Sequence, residues 1–254
     1  MNAFTAPAVT ATHAVPNALP ASLSTNPRLS QWLSILADGT VAVRSGKVEL
    51  GQGIATALAQ IVAQELDVSL SRIRMIPAST ATSPNEGMTA GSMSVHDSGS
   101  ALRQVCAEAR AIYLHLAAQR LGLSQDQSGQ LAVVDGVISV AGPAAGKGLT
   151  TSYWALADES LLDREADARA KPKAATHVPE TGTGVLTSRM DLPDKVTGRP
   201  RFIQDMRLPG MLYGRVVHPP SPGAVLQSVD ASGVQDQPGV VAVVRDGSFL
   251  GVIA

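Results

Sequence analysis

The chain has 254 residues, with 20 Lys+Arg against 21 Asp+Glu and a formal net charge of -1. So even a balance argues against a protein whose main task is holding nucleic acid, which needs a basic face. A single cysteine, Cys106, excludes an intramolecular disulfide and a self-contained Cys-ligated iron–sulfur cluster or zinc ribbon.

Residues 1–28 are rich in Pro, Ala and Thr and lack the basic start and continuous apolar stretch of a secretory signal. They read as a disordered arm, with ordered structure starting near Leu29. Gln31–Leu36 and Thr40–Arg44 flank Asp38-Gly39, the pattern of a β-hairpin. Gly46–Gly53 reads as a strand end running into a glycine-rich turn. Ile54, Leu58, Ile61, Val62 and Leu66 then recur at helical spacing, and Arg72–Ala78 returns to a strand pattern. Residues 79–97 form a long polar, small-residue loop between two patterned segments, which is where functional loops are found. Ser98 is placed to cap the next helix, which runs to about Leu121 with Leu102, Val105, Cys106, Ala109, Ile112, Tyr113 and Leu116 on its apolar side. Gly122 stops it.

A second hairpin follows, Leu131–Val134 and Val137–Val140 around Asp135-Gly136. A short helix is expected near Tyr153–Leu162, and residues 166–183 read as a linker. From residue 184 the pattern becomes β-rich, with strands expected at Arg201–Ile203, Met211–Val217, Ala224–Val229, Val240–Val244 and Phe249–Ile253. The last of these is an apolar strand with no solvated terminus, so further chain or a partner is expected to supply the next element. The fold class is therefore α+β over 29–165, a linker, and a second module over 184–254. No run of about 18 apolar residues indicates a membrane span.

Two short stretches can carry chemistry. Gly51-Gln52-Gly53 leads straight into a helix, whose first N–H groups lack internal partners and favour an anion. Gln52 offers both a donor and an acceptor. The turn is neither a P-loop nor a dinucleotide fingerprint, and its bland reading is a tight structural turn. Thr89-Ala90-Gly91-Ser92-Met93-Ser94 can line a polar ligand with N–H and O–H groups, against the bland reading of an ordinary Ser/Gly loop. Glu49 and Glu86 flank these stretches, and Glu49 is expected to order its turn rather than act as a base. His13, His96, His115, His177 and His218 show no metal-ligand spacing. His115 falls on the helix as a structural residue, His96 pairs with no nucleophile, and Cys106 reads as a core residue.

Glu49-Leu50-Gly51-Gln52-Gly53, continued by Thr56 and Gln60, resembles the E-x-G-Q-G-x-x-T-x-x-x-Q element of the xanthine dehydrogenase family's molybdopterin-binding large subunits. Ser83–Ser94 resembles that family's second cofactor loop. Asp191–Gly198, with Phe202, Asp205, Pro209–Leu212 and Gly214, resembles the opening of its α/β hammerhead domain. The isoquinoline 1-oxidoreductase and nicotinate dehydrogenase branch is the most similar. The resemblance implies a molybdenum-cofactor-binding domain portion followed by an incomplete hammerhead-like domain. It implies a molybdopterin cofactor, in a form that includes the cytosine dinucleotide, contacted by Gly51, Gln52, Gly53, Thr89, Ala90, Gly91, Ser92 and Ser94. It further implies water-dependent hydroxylation of an N-heteroaromatic or aldehyde small molecule, with electrons leaving through a [2Fe–2S] small subunit to a cytochrome or flavin acceptor. The family's catalytic glutamate lies in a G-x-G-E stretch that does not occur here, so the remaining large-subunit polypeptide is an expected partner. The other reading is a non-catalytic remnant or subunit-interaction module of the same fold. The expected location is the cytoplasm, including the inner face of a membrane reached through partners.

Overall fold

β1 (Leu33–Ile35) and β2 (Val41–Val43) form the expected hairpin, paired from Leu33↔Val43 to Ile35↔Val41. Its turn is fastened by Asp38, whose Oδ1 accepts from Thr40 N at 3.0 Å and Thr40 Oγ1 at 2.6 Å. β2 then pairs in parallel with β3 (Ile73–Met75), which requires a crossover, and α2 (Ile54–Leu66) supplies it. The glycine-rich turn is thus fixed by topology at the end of β2 and the start of the crossover helix. Ile54, Leu58, Val62 and Leu66 recur every four residues and are all buried. α3 (Ser100–Arg120) packs on α2 through Ala101, Leu102, Val105, Cys106 and Ala109. So many small residues let the two backbones approach closely. Trp32, Tyr113 and Tyr153 are fully buried, and the two tyrosine rings meet edge to face with centroids 5.5 Å apart.

A second sheet, in the order β4-β5-β6, consists of β4 (Leu131–Val134), β5 (Val137–Val140) and β6 (Thr150–Ser152). Asp135 in its hairpin turn is tied back to β3 by Arg72, with bonds of 2.8 and 2.7 Å. The protein is described here from a computed structural model whose described residues are 18–124, 129–140, 149–174 and 187–254. It divides into two units, Met1–Pro193 and Asp194–Ala254. That division falls later than the expected module boundary at 184.

Several expectations are corrected. Order begins before Leu29: α1 spans Ala21–Thr25, and Leu23 is fully buried. Asn26 holds this segment to the 79–97 loop, its Nδ2 donating to Asn85 O at 3.0 Å and its Oδ1 accepting from Asn85 N at 2.8 Å. A single apolar anchor and one amide outweigh the disorder-prone composition. Residues 1–17 of the expected arm lie outside the described residues.

The front of the expected linker is docked rather than free. The buried Glu108 carboxylate accepts from Asp167 N and Ala168 N at 3.0 Å each, and buried Glu65 accepts from Lys173 N at 2.8 Å. Two charged side chains on the helices therefore satisfy its backbone, a pairing invisible to composition. Residues 175–186 of that linker lie outside the described residues. The helix expected near Tyr153–Leu162 is reduced to one 3-10 turn, Glu159–Leu162, capped by Asp158 accepting from Ser160 N. Ser98 caps nothing. Val95–Gly99 winds as a π-helix continuous with α3, and Ser98 points inward, fully buried.

In the second unit β7 (Gly214–Val216), β8 (Ala242–Asp246) and β9 (Phe249–Ile253) form a sheet in the order β7-β9-β8. β9 is the central strand, and its pairing with β7 is extended by mutual bonds between Tyr213 and Ala254. The strands expected at Arg201–Ile203 and Ala224–Val229 are absent. Ile203–Asp205 is a 3-10 turn, closed by Asp205 Oδ2 accepting from Arg201 N and Phe202 N. Asp194–Ala254 buries only Gly251, so β-propensity there lacks the packing that would extend the strands.

Candidate functional site

The first loop is built around an internal carboxylate. Glu49 Oε1 accepts from Gly51 N at 2.8 Å and Gly53 N at 2.9 Å, and Oε2 accepts from Ala55 N at 3.2 Å. Gly51 and Gly53 reach this geometry at φ +104° and +81°, the left-handed region that favours glycine. Burial pushes the Glu49 carboxyl upward, but the donors from Gly53, Ala55 and Gly51 prevail and hold it below the usual carboxylate range. The helix-start donors expected to face an anion are therefore engaged by the chain's own anion. Glu49 has the turn-ordering role its position suggested. Gln52 also closes on the turn, its Oε1 accepting from Leu50 N and its Nε2 donating to Val48 O at 2.9 Å.

A segment more than a hundred residues away braces this turn. Arg189 Nη1 donates to Gly51 O at 2.7 Å, and its guanidinium forks onto Asp191 at 3.0 and 2.7 Å. Thr56 Oγ1 accepts from Met190 N, and Gln60 Nε2 donates to Thr187 Oγ1, both at 2.9 Å. Thr56 and Gln60 are one turn apart on α2, so the same face of the helix holds residues 187–190.

The second loop lies against the first. Val48 N donates to Thr89 Oγ1 at 3.0 Å. Buried Lys47 donates to Glu86 O at 2.9 Å and Met88 O at 3.1 Å, and pairs with Asp97 at 3.1 Å. His96 and Lys47 hold the Asp97 carboxyl below its usual range. Gly46 permits the approach: a Cβ there would sit 2.3 Å from Pro84 O and 3.0 Å from Glu86 N.

The structure thus brings Gly51, Gln52, Gly53, Thr89, Ala90, Gly91, Ser92 and Ser94 onto two contiguous loops, but divides their roles. Among the described residues the N–H groups of Ala90, Gly91 and Ser92 and the Ser92 hydroxyl make no hydrogen bond. Ser92 is exposed and held at φ +57°, where a non-glycine residue is strained. Three successive donors are therefore open on the second loop, where a ligand rich in acceptors fits them, whereas on the turn, among the described residues, the N–H groups of Gly51, Gly53 and Ala55 are engaged and those of Gln52 and Ile54 are not. Beside it a cleft of about 380 Å³ is lined by Val48, Ser79, Ser83, Asn85, Glu86 and Gly87 among others. A cavity of similar size lies away from both loops, under Ile112, Leu116 and Leu161. Exposed apolar side chains surround the loops, Leu50 at 69% and Met88 at 80%.

Lys47, Ser45, Asn26 and Arg189 were missed by sequence reasoning. A lysine at a strand end otherwise poor in charge was the one available signal. The contacts of Asn26 and Arg189 span too much chain for any local pattern to show them. Among the described residues no group of three His, Cys, Asp or Glu could hold a metal ion.

The site is thus a crossover helix, a glycine turn closed by an internal carboxylate and an adjoining loop with open donors. The model of the Molybdopterin cofactor-binding domain family matches residues 7–189, and the chain belongs to that family. It is 36% identical over 244 residues to a nicotinate dehydrogenase subunit of Pseudomonas putida, covering 89% of this chain and 19% of that protein. It is 30% identical over 200 residues to a membrane-bound aldehyde dehydrogenase [pyrroloquinoline-quinone] of Gluconacetobacter polyoxogenes, covering 78% and 25%. It is 29% identical over 239 residues to the beta subunit of isoquinoline 1-oxidoreductase of Brevundimonas diminuta, covering 82% and 31%. The chain thus spans between about a fifth and a third of the length of these relatives. The resemblance to the xanthine dehydrogenase family's large subunits holds. No helix among the described residues is long and apolar enough to cross a membrane.

Proposed function

We propose that this chain supplies one wall of a molybdopterin site in a molybdenum-dependent hydroxylase, the rest of the site coming from further large-subunit polypeptide. The observation that carries this reading is the contrast of the two loops: a turn whose two glycine N–H groups close on Glu49, beside a loop with three successive N–H groups and a hydroxyl open. Ala90, Gly91, Ser92 and Ser94 would donate to acceptors at the phosphate end of the cofactor. Gly51, Gln52, Gly53 and Thr89 would shape the wall on which it lies. When bound, the group would supply the redox chemistry, and the protein would position it.

Glu49 and Lys47 are not free to act as an acid or base. Glu49 is committed to three backbone donors and Lys47 to Asp97 and two carbonyls. Catalytic proton transfer then belongs to the remaining polypeptide. The names of the relatives support an N-heteroaromatic or aldehyde substrate; oxygen from water, and electrons passing to a [2Fe–2S] small subunit and on to a cytochrome or flavin, are proposed from the motif resemblance alone. The same resemblance, and not those names, is the ground for proposing a cytosine dinucleotide form of the cofactor and an assembly in the cytoplasm, held at the inner membrane face through partners. The exposed apolar side chains around the loops, and the near absence of burial in Asp194–Ala254, suit coverage by that polypeptide. We assign Asp194–Ala254 as the start of a hammerhead-like domain.

Elemental and pterin analysis of the complex, purified gently from its native source, tests this. About one molybdenum and one pterin per copy of this chain is expected for a single cofactor clasped by one such domain. A complex containing this chain but no pterin, or a quinone cofactor in its place, overturns the reading.

A further inference from the structure

Glu86 has no role in the motif as read from sequence, yet with Lys47 it ties the two loops together. Its Oε2 accepts from Gly46 N at 2.8 Å, Ser98 Oγ at 2.6 Å and Ser45 Oγ at 3.2 Å. Ser45 and Ser98 are buried and lie 3.0 Å apart, and Ser45 Oγ also accepts from Lys47 N at 3.0 Å. The other carboxylate oxygen, Oε1, is buried with no partner among the described residues. A carboxylate with one oxygen triply engaged and the other unengaged is poorly used if its task is stability alone. It makes sense if what matters is the position it imposes. Ser45 lies two residues beyond β2, Ser98 lies in the π-helical turn that runs into α3, and Glu86 sits in the loop between; one oxygen joins all three. Lys47 completes the arrangement by drawing Glu86 O and Met88 O to the same strand end.

We propose that Glu86 is a positioning residue: it sets the 83–97 loop on the 45–48 segment at the spacing at which Ala90–Ser92 can meet the cofactor held along the glycine turn. This rests on the molybdopterin reading. It assigns Glu86 no contact with substrate or reacting atoms.

The test uses the complex with its remaining polypeptide, expressed in a host that makes the cofactor, as wild type, Glu86→Ala and Glu86→Gln. The amide restores the acceptor and the shape but loses the charge that strengthens the bonds to Gly46 N and the two hydroxyls. Pterin per complex and amide hydrogen exchange are both read. In E86A, pterin is expected to fall about tenfold, and exchange in 45–48 and 83–97 to quicken about tenfold, the loss of charge-assisted hydrogen bonds. Exchange in α2 and α3 is expected to stay as in wild type, and E86Q to recover most of the pterin. Unchanged pterin in E86A overturns the proposal. So does exchange that quickens equally through α2 and α3, which is the signature of a merely structural residue. Should E86A fail to assemble, Ser98→Ala, which removes one of the three bonds, is read the same way. A wild-type complex without pterin defeats the cofactor reading instead, while the exchange comparison still decides whether Glu86 clasps the loops.

Discussion

The two loops of the candidate site use similar residues to opposite ends. In the glycine turn Gly51, Gly53 and Ala55 give their N–H groups to Glu49 and Gln52 spans its own backbone, while Gly46 and Val48 ahead of it donate to the second loop. The loop at 89–94 is anchored at its edge, by Thr89 to Val48, and keeps the donors of Ala90, Gly91 and Ser92 open. Small residues and positive φ angles occur in both, so composition does not distinguish them. A helix N-terminus attracts an anion, but the anion can be the chain's own. In the function proposed above, the turn is a wall and the second loop the grip.

The largest expected effect breaks the contact between the loops. Gly46→Ala puts a Cβ against the carbonyl of Pro84, which is backbone and cannot swing aside. A loss of about 3 kcal/mol in unfolding free energy is expected from such overpacking, with pterin lost as well. A thermal melt indistinguishable from wild type would show that the loops do not touch as described.

Next is Glu49→Ala, which strands the N–H groups of Gly51, Gly53 and Ala55, the last two partly buried, and loosens Arg189 from the turn. About 2 kcal/mol is expected, from lost bonds to a charged acceptor. Acid should mimic it. The folded carboxyl titrates below its unfolded value, so its stabilisation is full above about pH 4.3 and is lost as pH falls through the folded pKa. In a pH series of amide exchange, residues 51–55 should open as acid is added and 90–92 should not change. Equal behaviour in the two loops would erase the distinction between them.

Ser92→Ala leaves the wall intact and removes one donor from the grip. Stability should stay within about 0.5 kcal/mol, the usual range at an exposed site away from special features. Cofactor retention should fall about tenfold, the value of one hydrogen bond to a charged acceptor. A drop in melting temperature with unchanged pterin would reverse the roles assigned to the loops.

The smallest effect lies outside the site, at Asp135, where the Arg72 guanidinium holds the carboxyl down to about 2. Its folded value is below the unfolded one, so its contribution is present above about pH 4 and fades as pH falls towards 2. Both partners are substantially exposed, so Asp135→Asn should cost no more than about 1 kcal/mol. A larger change in a denaturant titration would mean that the hairpin tie matters more than its exposure allows.

What could be read from the sequence divides along physical lines. The first hairpin, α2, α3 and the second hairpin follow from periodicity and turn residues, because each buries one face against a shared core. The order at Leu23 and Asn26 and the docking of 166–174 rest on small sets of long-range contacts, which leave no periodic trace. The strands expected at 201–203 and 224–229 failed for lack of burial. At the site, both loops were recognised and Glu49 was given its turn-ordering role. The engagement of Gln52 and of the helix-start donors was not foreseen, since a residue's type shows what it can donate but not where the bond goes.

The central claim is that the second loop grips and the turn does not. The most direct measurement is amide hydrogen exchange on the complex made with and without molybdopterin. Exchange at Gly51, Gly53 and Ala55 should be slow in both states, while Ala90, Gly91 and Ser92 should become protected only when the cofactor is bound. Protection that appears at the glycine turn and leaves 90–92 unchanged would contradict it.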